Sequence, residues 1–196
     1  QKIKKVVDPR PGEIMFGLNM VVNKGKTVFI GDTSVHEYPT SEQLAEIAIS
    51  SARVVRLFGF NPKVAFLSHS TYGQPLTSRT KHIRDAVEIL KNKEVNFKFD
   101  GDMQPDVALN QEYAELYPFS EIVGNANILI MPGQHSAAIS YKIMKSLGGA
   151  KVIGPLLIGL GQPIEIAPLR SSTSDILNLA SVAAYSAGVI NYKKPN

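Results

Sequence analysis

The stretch Lys63-Val64-Ala65-Phe66-Leu67-Ser68-His69-Ser70-Thr71-Tyr72-Gly73 decides the fold. Its first five residues form a short apolar run typical of a buried strand, and its second half is a loop of small polar residues. Downstream, Ile83, Ala86, Val87 and Leu90 recur at the i, i+3, i+4, i+7 spacing of a helix. A strand, a polar loop and a helix in this order indicate one unit of an α/β fold.

The rest of the chain repeats this alternation of strands and helices. Two apolar runs, 14–22 and 27–30, flank a short turn with Asn and Gly and predict a β-hairpin. Thr40 and Gln43 have the spacing of a capping box, which starts a helix. The sheet is therefore predicted to be largely parallel apart from the hairpin, within a three-layer α/β sandwich. Further strands are predicted at 96–99, 128–131, 151–154 and 163–166, and a last helix at 175–189.

The composition excludes several classes of protein. The 196 residues are 44% hydrophobic, which fits a globular core and excludes a disordered chain. The absence of cysteine excludes disulfide frameworks, zinc fingers and thiol chemistry. Lysine and arginine number 21 against 17 acidic residues, a balance that suits small anions and does not indicate nucleic acid. No apolar run is long enough to span a membrane, so we expect a soluble, cytoplasmic protein.

The candidate site lies in three loops that follow strands, at 68–73, 100–106 and 132–136. Ligands of open α/β sheets bind outside the carboxyl ends of the strands, where these loops are expected. The hydroxyl groups of Ser68, Ser70 and Thr71 could hold a phosphate, or they could be ordinary turn and cap hydroxyls. Gln104 and Asp106 could bind a ligand, and Asp106 could equally cap the next helix.

Histidines and cations near the later loops are further candidates. His135 could donate a hydrogen bond to an anionic ligand or be satisfied within its own loop. Lys142 follows it on the same helix, and Arg170 and Asp175 flank a serine-rich run that could also be a helix cap. The histidines show no paired metal spacing, so no metal site is predicted. The candidate ligand residues are Ser68, Ser70, Thr71, Gln104, Asp106, His135, Ser136, Lys142, Arg170 and Asp175.

Four groups of residues resemble the phosphate acetyl/butyryltransferase family. They are 68–73, 100–104, Met131-Pro132 with Tyr141-Lys142, and Ile153-Gly154-Pro155 with Ser174-Asp175-Ile176, and their order and spacing match over nearly the whole chain. The resemblance implies the isocitrate/isopropylmalate dehydrogenase-like fold of phosphate acetyltransferases, with two subdomains flanking a cleft. It implies that 1–166 is the second subdomain and that 167–196 packs on an absent first one.

The stretches 7–12, 33–45 and 131–137 are similar to the C-terminal transferase-like domain of hybrid NADP-dependent malic enzymes. That similarity implies an upstream enzyme that converts malate to pyruvate with NADP and a divalent metal, Mg or Mn, both bound outside this chain. It implies acetyl-CoA as an effector of the present domain. It also implies a homo-oligomer formed through the domain.

The chain departs from the active transferases at their catalytic residues. The family carries a Ser-Arg pair seven and six residues before an Asp that matches Asp175, where this sequence has Pro168 and Leu169. Neither residue has a side-chain donor that could hold a thiol or phosphate. We therefore expect no catalytic residue and a regulatory domain that binds acetyl-CoA. The alternatives are an active phosphate acetyltransferase that uses Arg170, and a structural dimerisation module without a ligand.

Overall fold

The computed structural model describes residues 7–73 and 76–192, and within them strands and helices alternate along the chain. The strands are β1 (Phe16–Asn23), β2 (Lys26–Gly31), β3 (Lys63–Leu67), β4 (Lys98–Met103), β5 (Ile128–Ile130) and β6 (Lys151–Ile158). The helices are α1 (Ser41–Leu57), α2 (Ser78–Lys91), α3 (Pro105–Leu109), α4 (Gln134–Gly148) and α5 (Thr173–Tyr192), with a 3-10 helix at Gln111–Leu116. None of these helices is long and apolar enough to cross a membrane.

The strands form one mixed sheet with the order β4-β3-β5-β2-β1-β6. The hairpin is confirmed, because β1 pairs with β2 in antiparallel fashion, and β2, β5, β3 and β4 pair in parallel as predicted. β6 pairs antiparallel with β1 and therefore runs in the same direction as β2, β5, β3 and β4, so among the described strands only β1 of the hairpin runs the other way.

Helices cover both faces of the sheet, so the three-layer arrangement is confirmed. Successive side chains of a strand point to opposite faces. In β3, Phe66 joins the core formed with α1, α2 and α5, and Leu67 joins the core on the face of α3 and α4. Both residues are almost fully buried.

The start of α1 follows the predicted capping box. The Thr40 side chain accepts a hydrogen bond from the Gln43 backbone, and the Gln43 side chain accepts one from the Thr40 backbone. The two bonds satisfy backbone donors that would otherwise lack partners at the helix start. Leu44 and Ile47 then place the apolar face of the helix on the sheet.

Two strand boundaries differ from the sequence-based expectation. Residues 100–103 belong to β4 rather than to a loop, because their polar side chains find partners described below. The strand predicted at 163–166 is absent, and only an isolated bridge joins Glu165 to Leu156 there. Pro163 lacks a backbone donor, which weakens strand pairing, and β6 instead continues past Pro155 to Ile158.

Candidate functional site

The carboxyl ends of four parallel strands lie at one edge of the sheet. The loops that follow β2, β3, β4 and β5 therefore meet there, as expected for a ligand-binding edge. Three of these loops were predicted from the sequence, and the loop after β2, at 32–40, was not.

The loop 68–73 is fastened along the end of β4. The Ser68 backbone donates to the Met103 carbonyl at 2.9 Å. The Thr71 hydroxyl accepts from the Gln104 backbone at 2.9 Å, and the Gln104 side chain donates to the His69 carbonyl at 2.6 Å. The structure thus brings Ser68, Thr71 and Gln104 together. The Thr71 hydroxyl and the Gln104 side-chain amide are used to hold the loop 68–73 in place.

The buried carboxylate of Asp102, in β4, also holds the loop 68–73 in place. Its Oδ2 accepts from the Ser70 hydroxyl at 3.1 Å, and its Oδ1 accepts from Arg84 Nε at 2.9 Å. Arg84 Nη2 also donates to the Gly73 carbonyl at 2.8 Å, so one guanidinium joins strand, loop and helix α2. Sequence reasoning missed Arg84, because a charged residue beside the apolar stripe of a helix normally indicates a solvent-exposed position.

Removing the guanidinium is expected to destabilise this edge. In Arg84→Met the buried Asp102 carboxylate loses its cationic partner, and we expect the free energy of unfolding to fall by about 2 kcal/mol. Lys81→Met breaks an exposed ion pair with Asp85 on the same helix and is expected to cost at most about 0.5 kcal/mol. Denaturant unfolding of both variants measures the difference, and equal losses would contradict the role of Arg84.

Tyr72, at the end of the loop 68–73, contacts both β4 and the aromatic side chain of Phe119. The Tyr72 hydroxyl donates to Asp100 Oδ2 at 2.6 Å, and its ring packs edge-on against Phe119. Burial, together with the hydrogen bond to Asp100, raises the pKa of Tyr72 above its usual value. The phenol therefore stays protonated and acts as a hydrogen-bond donor. Asp106 is exposed in the first turn of α3.

The loop before α4 rests on the loop after β2. The Gln134 backbone donates to the His36 carbonyl at 3.1 Å, and a Cβ added to Gly133 would collide with the Glu37 carbonyl. Ser136 donates its hydroxyl to the Gly133 carbonyl at 2.8 Å, a bond within the first turn of α4. His135 is largely exposed, 3.6 Å from Glu37.

Asp32 organises the loop after β2 and was also missed. Its side chain is buried and accepts from the backbone N–H groups of Gly17, Ser34, Val35 and His36. A fifth bond comes from His36 Nδ1 at 2.7 Å, which must donate because the carboxylate only accepts. A single Asp after a strand gives no sign in the sequence that it will collect five donors.

Arg170 and Asp175 lie elsewhere, in a cleft of about 150 Å³ over the edge strand β6. Lys145 and Tyr141 of α4 line this cleft; Lys142 does not, and its ammonium stands 5.9 Å from the centre of the Tyr141 ring. Asn178 of α5 also lines it, and its buried Nδ2 has no hydrogen-bond partner in the described part of the chain. Two cations and a vacant amide donor outnumber the one carboxylate in the cleft, that of Asp175, which makes the cleft suited to an anion.

Asp175 primarily caps α5. Its Oδ2 accepts from the backbone and the hydroxyl of Ser172, and the Ser172 hydroxyl accepts from the Asp175 backbone. These hydrogen bonds lower the pKa of Asp175, and the charges of Lys145 and Lys151 lower it further. The cap interpretation of this run, one of the two left open by the sequence, therefore has direct structural support.

The ten candidate residues fall into separate groups. Ser68, Ser70, Thr71 and Gln104 cluster at β3 and β4, and the cleft with Arg170 and Asp175 lies at β6. Four strand positions separate β3 from β6, which corresponds to roughly 19 Å. His135 and Ser136 stand at the start of α4, and Asp106 and Lys142 are exposed outside these groups. In residues 7–73 and 76–192, no three acidic or histidine side chains converge as metal ligands would.

Comparison with known proteins places this geometry in a family. The model of the phosphate acetyl/butaryl transferase family matches residues 1–184, and the chain belongs to that family. A phosphotransacetylase from Streptococcus pyogenes superposes with a TM-score of 0.88 at 32% identity, covering 94% of this chain and 57% of that one.

Two kinds of relative share the sequence. An NADP-dependent malic enzyme of Rhizobium meliloti is 45% identical over 188 residues, 96% of this chain and 25% of that protein. A phosphate acetyltransferase of Bacillus subtilis is 36% identical over 169 residues, 85% of this chain and 52% of that protein. The chain thus spans a quarter of the length of the malic enzyme and about half that of the transferase.

Proposed function

We propose that this chain is a regulatory domain that binds acetyl-CoA without turning it over and belongs to an NADP-dependent malic enzyme. The oxidative decarboxylation of malate to pyruvate, with NADP and a divalent Mg or Mn ion, is assigned to other parts of that polypeptide. The similarity to the malic enzyme of Rhizobium meliloti over 188 residues supports this assignment.

The residues beside the β6 cleft carry the proposal. The positions expected for a catalytic Ser-Arg pair hold Pro168 and Leu169, and the Leu169 side chain is fully exposed. Neither side chain can donate a hydrogen bond to a developing charge, so a tetrahedral intermediate would go unstabilised. Lys145 and Arg170 remain in the cleft and could bind a phosphate of acetyl-CoA. This combination of residues supports the proposal of binding without turnover.

The finer architecture is part of the same proposal. We assign 1–166 to the second subdomain of an isocitrate/isopropylmalate dehydrogenase-like transferase fold, and 167–196 to a segment that packs on a first subdomain outside this chain. Leu169, Ile176 and Leu177 support this assignment, because large apolar side chains rarely stay exposed together.

Regulation requires that acetyl-CoA bind two states of the enzyme with different affinity. We assign these states to arrangements of a homo-oligomer joined through this domain. Exposed Ile139, Ile143 and Leu147 recur every four residues along α4 and form an apolar stripe that a second copy could cover. The location proposed for the enzyme is the cytoplasm.

The first test measures malate-dependent NADPH formation by the full-length polypeptide during titration with acetyl-CoA. We expect a saturable change in rate that free CoA does not reproduce, because the two ligands differ only in the acetyl group. An unchanged rate at all acetyl-CoA concentrations would contradict the proposal.

A second assay separates the proposal from an active phosphate acetyltransferase, which Arg170 in the cleft would favour. Acetyl-CoA and phosphate are incubated with the same polypeptide, and the released thiol is measured. We expect no release, since Pro168 and Leu169 provide no donor. Sustained thiol release that Arg170→Ala abolishes would establish the transferase instead.

A further inference from the structure

A second cavity, of about 330 Å³, lies between α1, β6 and α5 and is separate from the cleft described above. Its walls are mainly apolar, and its volume lies within the range of small-molecule sites. The apolar lining includes Val54, Leu57, Phe58, Leu156, Val182 and Tyr185. The Tyr185 hydroxyl donates to the Leu57 carbonyl at 2.7 Å, so it is already engaged.

Two arginines at this cavity share a single carboxylate. Arg53 Nη1 lies 2.9 Å from Glu13 Oε1, and Arg10 Nη1 lies 3.9 Å from the same oxygen. Both arginines line the cavity, and both are partly exposed to solvent. One carboxylate balances one of the two positive charges, which leaves a surplus positive charge for a ligand.

A third polar side chain, that of Glu165, also lines the cavity. Its Oε2 is buried and has no hydrogen-bond partner among the described residues. Burial raises the pKa of Glu165 to about 8, partly offset by a hydrogen bond from the Leu157 backbone. The carboxyl group is therefore protonated near neutral pH. A neutral carboxyl group loses much less solvation free energy than a carboxylate when an apolar ligand excludes water from it.

We propose that this cavity binds a small monocarboxylic acid, with its carboxylate at Arg10 and Arg53 and its alkyl body between α1, β6 and α5. The volume admits about ten non-hydrogen atoms at ~30 Å³ each, which is the size of octanoate. The surplus cation attracts the acid group, and the apolar walls bury the chain. The alkyl chain can pack beside Glu165 only while the carboxyl group of Glu165 is protonated. This site is independent of the acetyl-CoA site proposed above.

Calorimetric titration of the full-length polypeptide with octanoate tests the proposal. We expect one saturable site per chain near pH 6.5 and about tenfold weaker binding near pH 9, because ionised Glu165 repels the carboxylate and resists desolvation. Octanoate itself stays ionised over this range. The other charged groups at the cavity are Arg10 and Arg53, which line it, and Glu13, which pairs with them.

Three variants separate the parts of the site. Glu165→Gln is expected to bind octanoate equally at both pH values, and Arg10→Gln to bind it about tenfold more weakly. Val182→Trp fills the cavity and should abolish binding. Lys81→Trp, at an exposed position of helix α2 outside the cavity lining, is the control and should bind as the unmodified protein does.

Several outcomes would overturn the proposal. They are the absence of saturable binding, binding of octanol as tight as that of octanoate, and a pH dependence that survives in Glu165→Gln. If Val182→Trp does not fold, the Glu165→Gln and Arg10→Gln results still decide the question. A cavity already filled by another part of the polypeptide would appear as absent binding and would equally reject the site.

Discussion

Replacing Asp32 with alanine is expected to lower the free energy of unfolding by about 4 kcal/mol. The substitution leaves four buried or partly buried backbone N–H groups, those of Gly17, Ser34, Val35 and His36, without an acceptor. An unsatisfied buried donor costs about 1 kcal/mol or more, and four of them add up to the expected loss. Denaturant unfolding followed by circular dichroism measures it.

Two controls accompany this variant. Asp32→Asn keeps one acceptor oxygen in the same volume and should cost about half as much. Glu37→Ala removes an exposed carboxylate from the same loop and should change stability by about 0.5 kcal/mol or less. A loss below about 1 kcal/mol for Asp32→Ala would show that the loop re-forms with water as the acceptor.

The second large effect concerns the proposed response to acetyl-CoA. We expect Lys145→Ala and Arg170→Ala each to raise the acetyl-CoA concentration for half-maximal response about tenfold, because each removes a cation from the β6 cleft. The double variant should lose the response within the measurable range. The readout is malate-dependent NADPH formation, whose rate without effector should remain unchanged.

Lys142 provides the matched comparison, since it lies on the same helix and carries the same charge. Lys142 is not among the residues that line the cleft, although its ammonium stands 5.9 Å from the ring of Tyr141, which does line it, so Lys142→Ala should shift the response less than Lys145→Ala. The reverse order would favour the sequence-based choice of Lys142 and would move the site toward the start of α4. Ser70→Ala then tests the separate cluster at β3.

The local elements of the fold could largely be predicted from the sequence. The capping box at Thr40, the five-residue strand β3 and the helical spacing of Ile83 and Leu90 all follow from short-range patterns, and the structure confirms them. The end of β4 was missed because Asp100 and Asp102 look like loop residues. Their partners, Tyr72 and Arg84, come from distant parts of the chain.

The arrangement of the site could not be predicted in the same way. The sequence indicates which residues follow strands, but the distance between two loops depends on the order of the strands in the sheet. Thr71 and Gln104 meet because β3 and β4 are neighbours, whereas Arg170 lies by the opposite edge strand. Lys145, and not the predicted candidate Lys142, lines the cleft, because the direction of a side chain depends on its position around the helix.

The two edge strands also limit how copies of this protein can assemble. Pro155 in β6 has no backbone donor, and β4 at the other edge carries Lys98, Asp100 and Asp102. Proline and charged side chains on an edge strand hinder the addition of a further strand from another molecule. The sheet is therefore protected against growing into a continuous intermolecular ribbon. In the proposed homo-oligomer, contacts between copies would therefore use helical surfaces, where an interface can re-form in a second arrangement without breaking backbone hydrogen bonds.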